Sequence, residues 1–378
     1  MVYVAALAIM VVLRFILREY TEKNKKLFTA ISCLLLVFVA SCRDFTVGTD
    51  TLSFANVFVQ VAPLGIKGAI NFNSWTEPGF RVLCALIGYF TQDPRWLIVV
   101  TSMIIHIGVS VFIYRHSKNV YLSFLLYMML MLYPYYLNIM RQAIAISVWL
   151  IAYDFLKKKR YVWYCLLVLL AMSFHFSAAL FLVCPFLALI PVNRKTLSIF
   201  LPAFTVFSLA SVVFAKPLLK VLQGIFSKYE DYTVTTFDAL YYYLAVFVIF
   251  TLYGVIRLYF TRPAGDPSGE NAPPVATAAA GFDERGFFAM MMLIGCVFAA
   301  LMTQYGIVER IFNYFEILYL VWIPLFLPPS AVGEKKRLGY RPEALAVGAC
   351  CLAYFLVILF FRSEQWYAAL PYSFFWQA

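Results

Sequence analysis

The sequence predicts an all-α fold, a polytopic transmembrane helical bundle of about 12 spans (range roughly 11–14) with amphipathic helices in its external loops. Three observations carry that expectation. Hydrophobic residues fill 63% of 378 positions and charged residues only 13%, with a mean hydropathy of +0.83; a soluble chain is about half apolar and about a quarter charged. Apolar segments of helical length recur along the whole chain. Aromatics make up 19%, with 37 Phe suited to lipid-facing surface and 26 Tyr suited to the headgroup level.

The net charge of +11 invites a nucleic-acid reading. Its distribution excludes one, because the basic residues form short clusters between apolar segments rather than a single face. The eight Cys contain no CxxC pair and mostly lie in apolar runs, so neither a disulfide frame nor a zinc site is expected. Asp44 and Asp50 are too few for another metal site. No cofactor is expected.

The spans expected are 2–18, 27–42, 96–114, 120–137, 139–156, 161–177, 178–192, 196–215, 239–260, 286–304, 310–327 and 343–361, since roughly 17–25 mostly apolar residues cross the hydrocarbon core. The first is apolar at once, without a basic region or a small-residue cleavage site, and reads as a transmembrane helix rather than a removed signal peptide. Clusters at 18–26, 115–118, 157–160, 194–195, 257–285 and 335–341 hold most of the 30 basic residues, and the positive-inside rule places them in the cytoplasm. From 157 onward the alternation is self-consistent and leaves the C-terminus outside. Upstream, 27–42 exits while 115–118 lies inside, so an odd number of crossings must separate them. Residues 43–94 are therefore expected to be a first external loop, with 52–70 and 79–92 as helices lying on the membrane or dipping into it. The alternative is that 79–92 crosses. Residues 216–238 form a second external loop, and 261–285, rich in Pro, Gly and Ala, a flexible cytoplasmic linker between two bundles. The whole of 1–378 reads as one integral membrane domain.

In this orientation the unusual polar residues gather at the outer ends of the helices. The first external loop carries Arg43, Asp44, Asp50, Trp75 and Glu77. An Arg with three carboxylates there can supply an anion clamp and a general base; the plainer alternative is a solvated loop whose Gly48, Pro78 and Gly79 are turn residues. Asn138, Arg141 and Gln142 fall where two helices meet. An Arg at a span end can snorkel to headgroups, yet an outer-end Arg runs against the positive-inside bias, which favours function. His175 lies at the same level; the alternative is a histidine bonded only to a neighbouring backbone. Glu309, Asn313 and Glu316 share a helix face beside Arg310 and Tyr314, where a Glu–Arg pair between helices is the structural alternative. The aromatic tail 366–378, with Tyr372, lies on the same side.

Three arginines, a histidine and several carboxylates at one membrane level make an anion site. Arg binds phosphate oxygens bidentately, so a lipid-linked phosphate or pyrophosphate fits. An enzyme or a transporter can use such a site. A transporter is expected to show mid-membrane polar residues and paired broken helices, neither of which is clear here, so the enzyme reading leads.

The same residues resemble the EpsG family, Wzy-like polymerases of bacterial exopolysaccharide, capsule and O-antigen synthesis. The resemblance is carried by Arg43-Asp44 through Val47-Gly48-Thr49-Asp50-Thr51, Glu77-Pro78-Gly79-Phe80, Asn138 to Ala145 with Arg141-Gln142, and Ala171 to Ala178 with His175. Glu309-Arg310, Asn313-Tyr314-Phe315 and Pro371-Tyr372 fit as well. It implies a multi-pass enzyme of the bacterial inner membrane that joins undecaprenyl-pyrophosphate-linked oligosaccharide repeat units on the periplasmic or extracellular side. It also implies membrane lipid, a flippase and chain-length regulators as partners. On that resemblance Arg43, Arg141 and Arg310 would hold the pyrophosphate, and Asp50 or His175 would be the acceptor base. Glu77 and Glu309 would complete the catalytic set by orienting sugars or arginines, while Asp44, Trp75, Asn138, Gln142, Tyr314 and Tyr372 would contact sugars. The rival readings are a lipid-linked oligosaccharide flippase or transporter, an O-antigen ligase, and a polyprenyl-phosphate-dependent glycosyltransferase.

Overall fold

A computed structural model describes residues 1–214, 217, 238–260, 282–327, 330–332, 337–339, 342–362 and 369–377. The second external loop and residues 261–281 of the linker, as read from the sequence, lie almost wholly outside the described residues. The fold is all-α apart from a short antiparallel pairing of Ser330–Val332 with Arg337–Gly339. The chain divides into two compact units. The first comprises Met1–Phe155, Tyr161–Leu182 and Leu327–Ala378, and the second Leu156–Arg160 and Val183–Phe326.

The first unit begins with α1 (Val2–Ile16) and α2 (Glu22–Ser41). α2 starts where the Thr21 side chain accepts from the Asn24 N–H at 3.2 Å, with Glu22 in its first turn. α3 (Thr51–Val61), a 3₁₀ turn, α4 (Gly65–Asn71) and α5 (Pro78–Gly88) follow. Next come α6 (Arg95–His116), α7 (Val120–Met129), α8 (Leu132–Asn138), α9 (Met140–Lys157) and α10 (Tyr161–Phe174). α7 and α8 form one apolar run bent by 58°, with Met131 at φ 61° in the left-handed region at the break.

α6 and α9 run side by side in the same direction. Ser147 Oγ donates to the Ile105 carbonyl at 3.1 Å, a Cβ at Gly108 would press on the Ser147 side chain, and Arg115 pairs with Asp154 further along. α10 returns beside α9, where Trp149 Nε1 donates to the Tyr164 hydroxyl at 3.2 Å.

In the second unit, α11 (Cys184–Leu187) precedes α12 (Arg194–Val213), which opens on an Asn193/Thr196 capping box. α13 (Asp238–Phe260) and α14 (Glu284–Met302) follow, then α15 (Glu309–Glu316) and α16 (Tyr319–Phe326). Gly254 admits the Trp322 ring, whose Nε1 donates to the Phe250 carbonyl at 3.0 Å and ties α16 to α13. α17 (Pro342–Phe361) belongs to the first unit.

Helices or helix pairs occupy every segment read as a span. Among the described residues, five stretches are long and apolar enough to cross a membrane: α2, α3–α4, α6, α14 and α17; the bent α7–α8 pair makes six. Val2–Ile16, Pro78–Gly88, Tyr161–Phe174, Phe176–Leu187 and Leu244–Phe260 are shorter apolar helices. α9 has 18 residues but carries Arg141, Asp154 and Lys157, so charge rather than length sets it apart.

The stretch Thr51–Asn71 has the length of a span, yet it begins and ends at the same place. Asp50, just before it, donates its N–H to Asn138 Oδ1 at 3.0 Å. Glu77, just after it, pairs with Arg141, and the Trp75 ring lies 5.6 Å from that of Phe54. Both flanks therefore sit at the Arg141 end of α9. The reversal occurs at the 3₁₀ turn Ala62–Leu64, after which Gly65 has φ 63°. α5 is fixed to this hairpin by Arg81, whose Nη1 and Nη2 donate to the Phe72 and Ile70 carbonyls at 2.7 and 3.1 Å. At its far end Gly88 packs so closely on Ala62 that a Cβ would collide with that residue's backbone.

Candidate functional site at the Arg141 end of α9

Four helices that begin near basic clusters are closed by their own N-cap side chains: Thr21, Asn119, Asn193 and Asp283 each accept from the backbone of the following turn. At the opposite end two helices begin on acids that make no such bond. Asp50 stands at the N-cap of α3 and Glu77 at the N-cap of α5, and neither side chain caps its helix. Both acids keep the favourable helix-terminus field, while their oxygens point to other partners or to solvent.

Glu77 joins two segments that lie far apart in the sequence. One carboxylate oxygen pairs with Arg141 Nη1, and the other lies 3.3 Å from His175 Nδ1. The approach depends on Gly79, because a Cβ there would come within 2.7 Å of the Ser173 carbonyl at the end of α10. Pro78 at the first helical position presets the turn that aims Glu77 outward from α5. The Arg141 and His175 side chains are each 10% exposed and that of Glu77 21%, so the group is accessible over a small area. Burial works against ionisation of Glu77, but the His175 hydrogen bond and the Arg141 charge outweigh it and hold its carboxyl below the usual glutamate value.

Aromatic rings complete the surroundings. The Arg141 guanidinium lies 4.5 Å from the Trp75 ring and 5.6 Å from the Phe54 ring. Phe54 is buried, while Trp75 is 59% exposed, so Trp75 offers a flat face to whatever approaches Arg141. Phe54 lies one turn along α3 from Asp50. Asn138, the last residue of α8, binds both Thr49 Oγ1 at 2.7 Å and the Asp50 N–H at 3.0 Å through its Oδ1. Gly48, at φ 94°, lies against Asn138 Cα, and its turn brings Asp50 there. The Asp50 side chain is exposed.

The remaining expected residues are placed differently. Arg43 is buried and donates to Ala40, Ser102 and Leu137. Asp44 accepts from the Thr46 N–H at 3.0 Å and the Thr46 hydroxyl at 2.8 Å, a local turn. The Tyr372 hydroxyl donates to the Val39 carbonyl. Gln142 is buried on α9. In the second unit, Glu309 and Arg310 open α15; Arg310 is exposed, while Asn313, Tyr314 and Glu316 are buried. Phe54 was not among the expected residues. Its helical spacing from Asp50 was the available signal.

The helices and this cluster define a polytopic α-helical membrane protein with an arginine–carboxylate–histidine group at one helix end, beneath an exposed tryptophan. No curated protein and no solved structure matches the chain. The chain matches the EpsG family over residues 26–374 and belongs to it. That membership indicates a polysaccharide polymerase-like function.

Proposed function

We propose that this protein is a glycosyltransferase of the bacterial inner membrane that polymerises undecaprenyl-pyrophosphate-linked oligosaccharide repeat units at the outer face. The observation that carries this reading is Glu77 holding Arg141 and His175 together. The cluster combines an anion-binding group with an acid–base group, and both are needed when a sugar leaves a pyrophosphate. A guanidinium has five N–H donors in a fork that suits phosphate oxygens.

His175 takes the proton of the acceptor hydroxyl as that oxygen attacks the anomeric carbon of the donor glycan. The bond from that carbon to the pyrophosphate oxygen breaks, and its electron pair leaves with undecaprenyl pyrophosphate. Arg141 stabilises the charge that develops there. The Glu77 carboxylate, 3.3 Å from His175 Nδ1, favours the proton on that nitrogen and leaves the lone pair on Nε2. Trp75 stacks a sugar ring next to the pyrophosphate. Asp50 is the second candidate base.

The test is purified protein in vesicles with a purified lipid-linked repeat unit. A ladder of longer lipid-linked glycans is expected. Translocation without new bonds would make the protein a flippase, and transfer only to a different lipid acceptor a ligase. Chain-length distributions for Arg141→Ala and Asp50→Asn probe the residue roles; wild-type polymer from both would sink them.

A further inference from the structure

We infer that Arg43 and the C-terminal tail, residues 369–377, form one positioning device for the Glu77–Arg141–His175 cluster and Asp50, with Arg43 acting through the backbone and not on the pyrophosphate. The inference leans on the polymerase reading only for its activity measurements.

The tail lies across the chain just after α2. The Asp44 N–H donates to the Ser373 carbonyl at 2.9 Å, and the Phe375 N–H to the Cys42 carbonyl at 3.1 Å. Arg43 and Phe374 face each other as an antiparallel bridge between these bonds. The hydroxyls of Thr46 and Ser373 lie 3.4 Å apart. Further back, the Tyr3 hydroxyl donates to the Ala369 carbonyl at 2.9 Å, and the Tyr3 ring meets those of Tyr133 and Tyr372 edge-on. Terminal residues are ordinarily poorly ordered unless tied down. These are tied down by backbone bonds to a segment more than 320 residues away.

The Arg43 side chain carries the connection inward. It is 2% exposed. Nη1 donates to the Ala40 carbonyl at 2.7 Å and to Ser102 Oγ at 3.3 Å, and Nη2 to the Leu137 carbonyl at 3.3 Å. Among the described residues no carboxylate pairs with it. Leu137 is the neighbour of Asn138, which holds Thr49 and Asp50, and α9 with Arg141 begins two residues after Asn138. A continuous path therefore runs from the tail through 42–44, the guanidinium and Leu137 to both the Asp50 turn and the start of α9. A fork-shaped cation can hold the end of α2, α6 and the end of α8 at once; a lysine, with one compact charge, cannot span all three. Binding pyrophosphate directly would require Arg43 to surrender these bonds inside the protein, where unmade hydrogen bonds are costly.

Two full-length variants test this, Arg43→Lys and Phe375→Pro, the second removing the N–H that reaches Cys42 together with the ring that lies over Arg95. In the vesicle assay both should lose turnover per folded molecule by at least about tenfold, with KM for the lipid-linked unit within about twofold of wild type, because Arg141 remains. Amides of Val47, Thr51 and Phe54 should exchange hydrogen about tenfold faster. Oxidising Thr46→Cys with Ser373→Cys in the Phe375→Pro background should restore turnover by closing the tail covalently. A raised KM with turnover unchanged would make Arg43 a direct ligand and overturn the inference; unchanged turnover per folded molecule would reduce it to a packing role. If wild-type protein makes no ladder, the polymerase reading fails by itself. The exchange measurement then decides, and unaltered protection over 44–54 in both variants would overturn the positioning role.

Discussion

At its Arg141 end α9 meets Glu77 and His175; at its other end Asp154 meets Arg115 and His116. The ingredients are the same, an arginine and a histidine on one carboxylate. At the Asp154 end the arginine and histidine are consecutive residues of α6, so the group joins two neighbouring helix ends. His116 Nε2 lies 2.9 Å from Asp154 Oδ1, its ring packs between Phe112 and Tyr153, and its side chain is only 4% exposed. At the Arg141 end the three residues come from three separate segments. They lie under an exposed Trp75 and close to the turn that carries Asp50. A charged triad is therefore not diagnostic of function. What separates the two ends is the approachable aromatic face beside Arg141.

Perturbing both ends in parallel sharpens this contrast. The largest effect is expected from His175→Ala, which should lower polymer formation by roughly 10²–10⁴-fold, the usual worth of a general base. His116→Ala should stay near wild type per folded molecule, and equal losses from the two would end the distinction. Next, Arg141→Lys keeps the charge but removes the fork, for a loss of about 10²-fold in turnover; full activity would show that a point charge suffices. Asp154→Asn should act on stability instead, lowering it by about 1.5–3 kcal/mol, read as a fall in thermal midpoint with specific activity retained.

The smallest effect concerns pH. The Glu77 carboxyl is held below the usual glutamate value, so its ionised form stabilises the fold. That contribution is complete above the unfolded value of about 4.3 and is lost as pH falls through the lower folded value. The thermal midpoints of wild type and Glu77→Gln should therefore converge as pH falls below about 4. Convergence already at neutral pH would contradict the direction of the shift.

Much of the site is legible in the amino-acid sequence. Arg141 stands out because an arginine at that end of a span opposes the charge bias, and Glu77 and His175 because each is a polar residue bordering a long apolar run. That Glu77 bonds both is not legible there, since the joining contact is the fit of Gly79 against Ser173. Arg43 looks like Arg141 in the sequence. The two part only through their partners: a carboxylate for one, three internal oxygens including Leu137 for the other.

Composition and hydropathy alone determined that the chain is a helical membrane protein, where its helices lie, and which ends carry charge, because those properties depend on residues close in sequence. Tertiary structure decided the path of residues 51–77. Length and apolarity mark Thr51–Asn71 as a candidate span, but Asp50 and Glu77 both return to α9. Hydropathy measures the cost of leaving water and says nothing about direction; direction is set by a turn at 62–65 and by hydrogen bonds to residues more than 60 positions away.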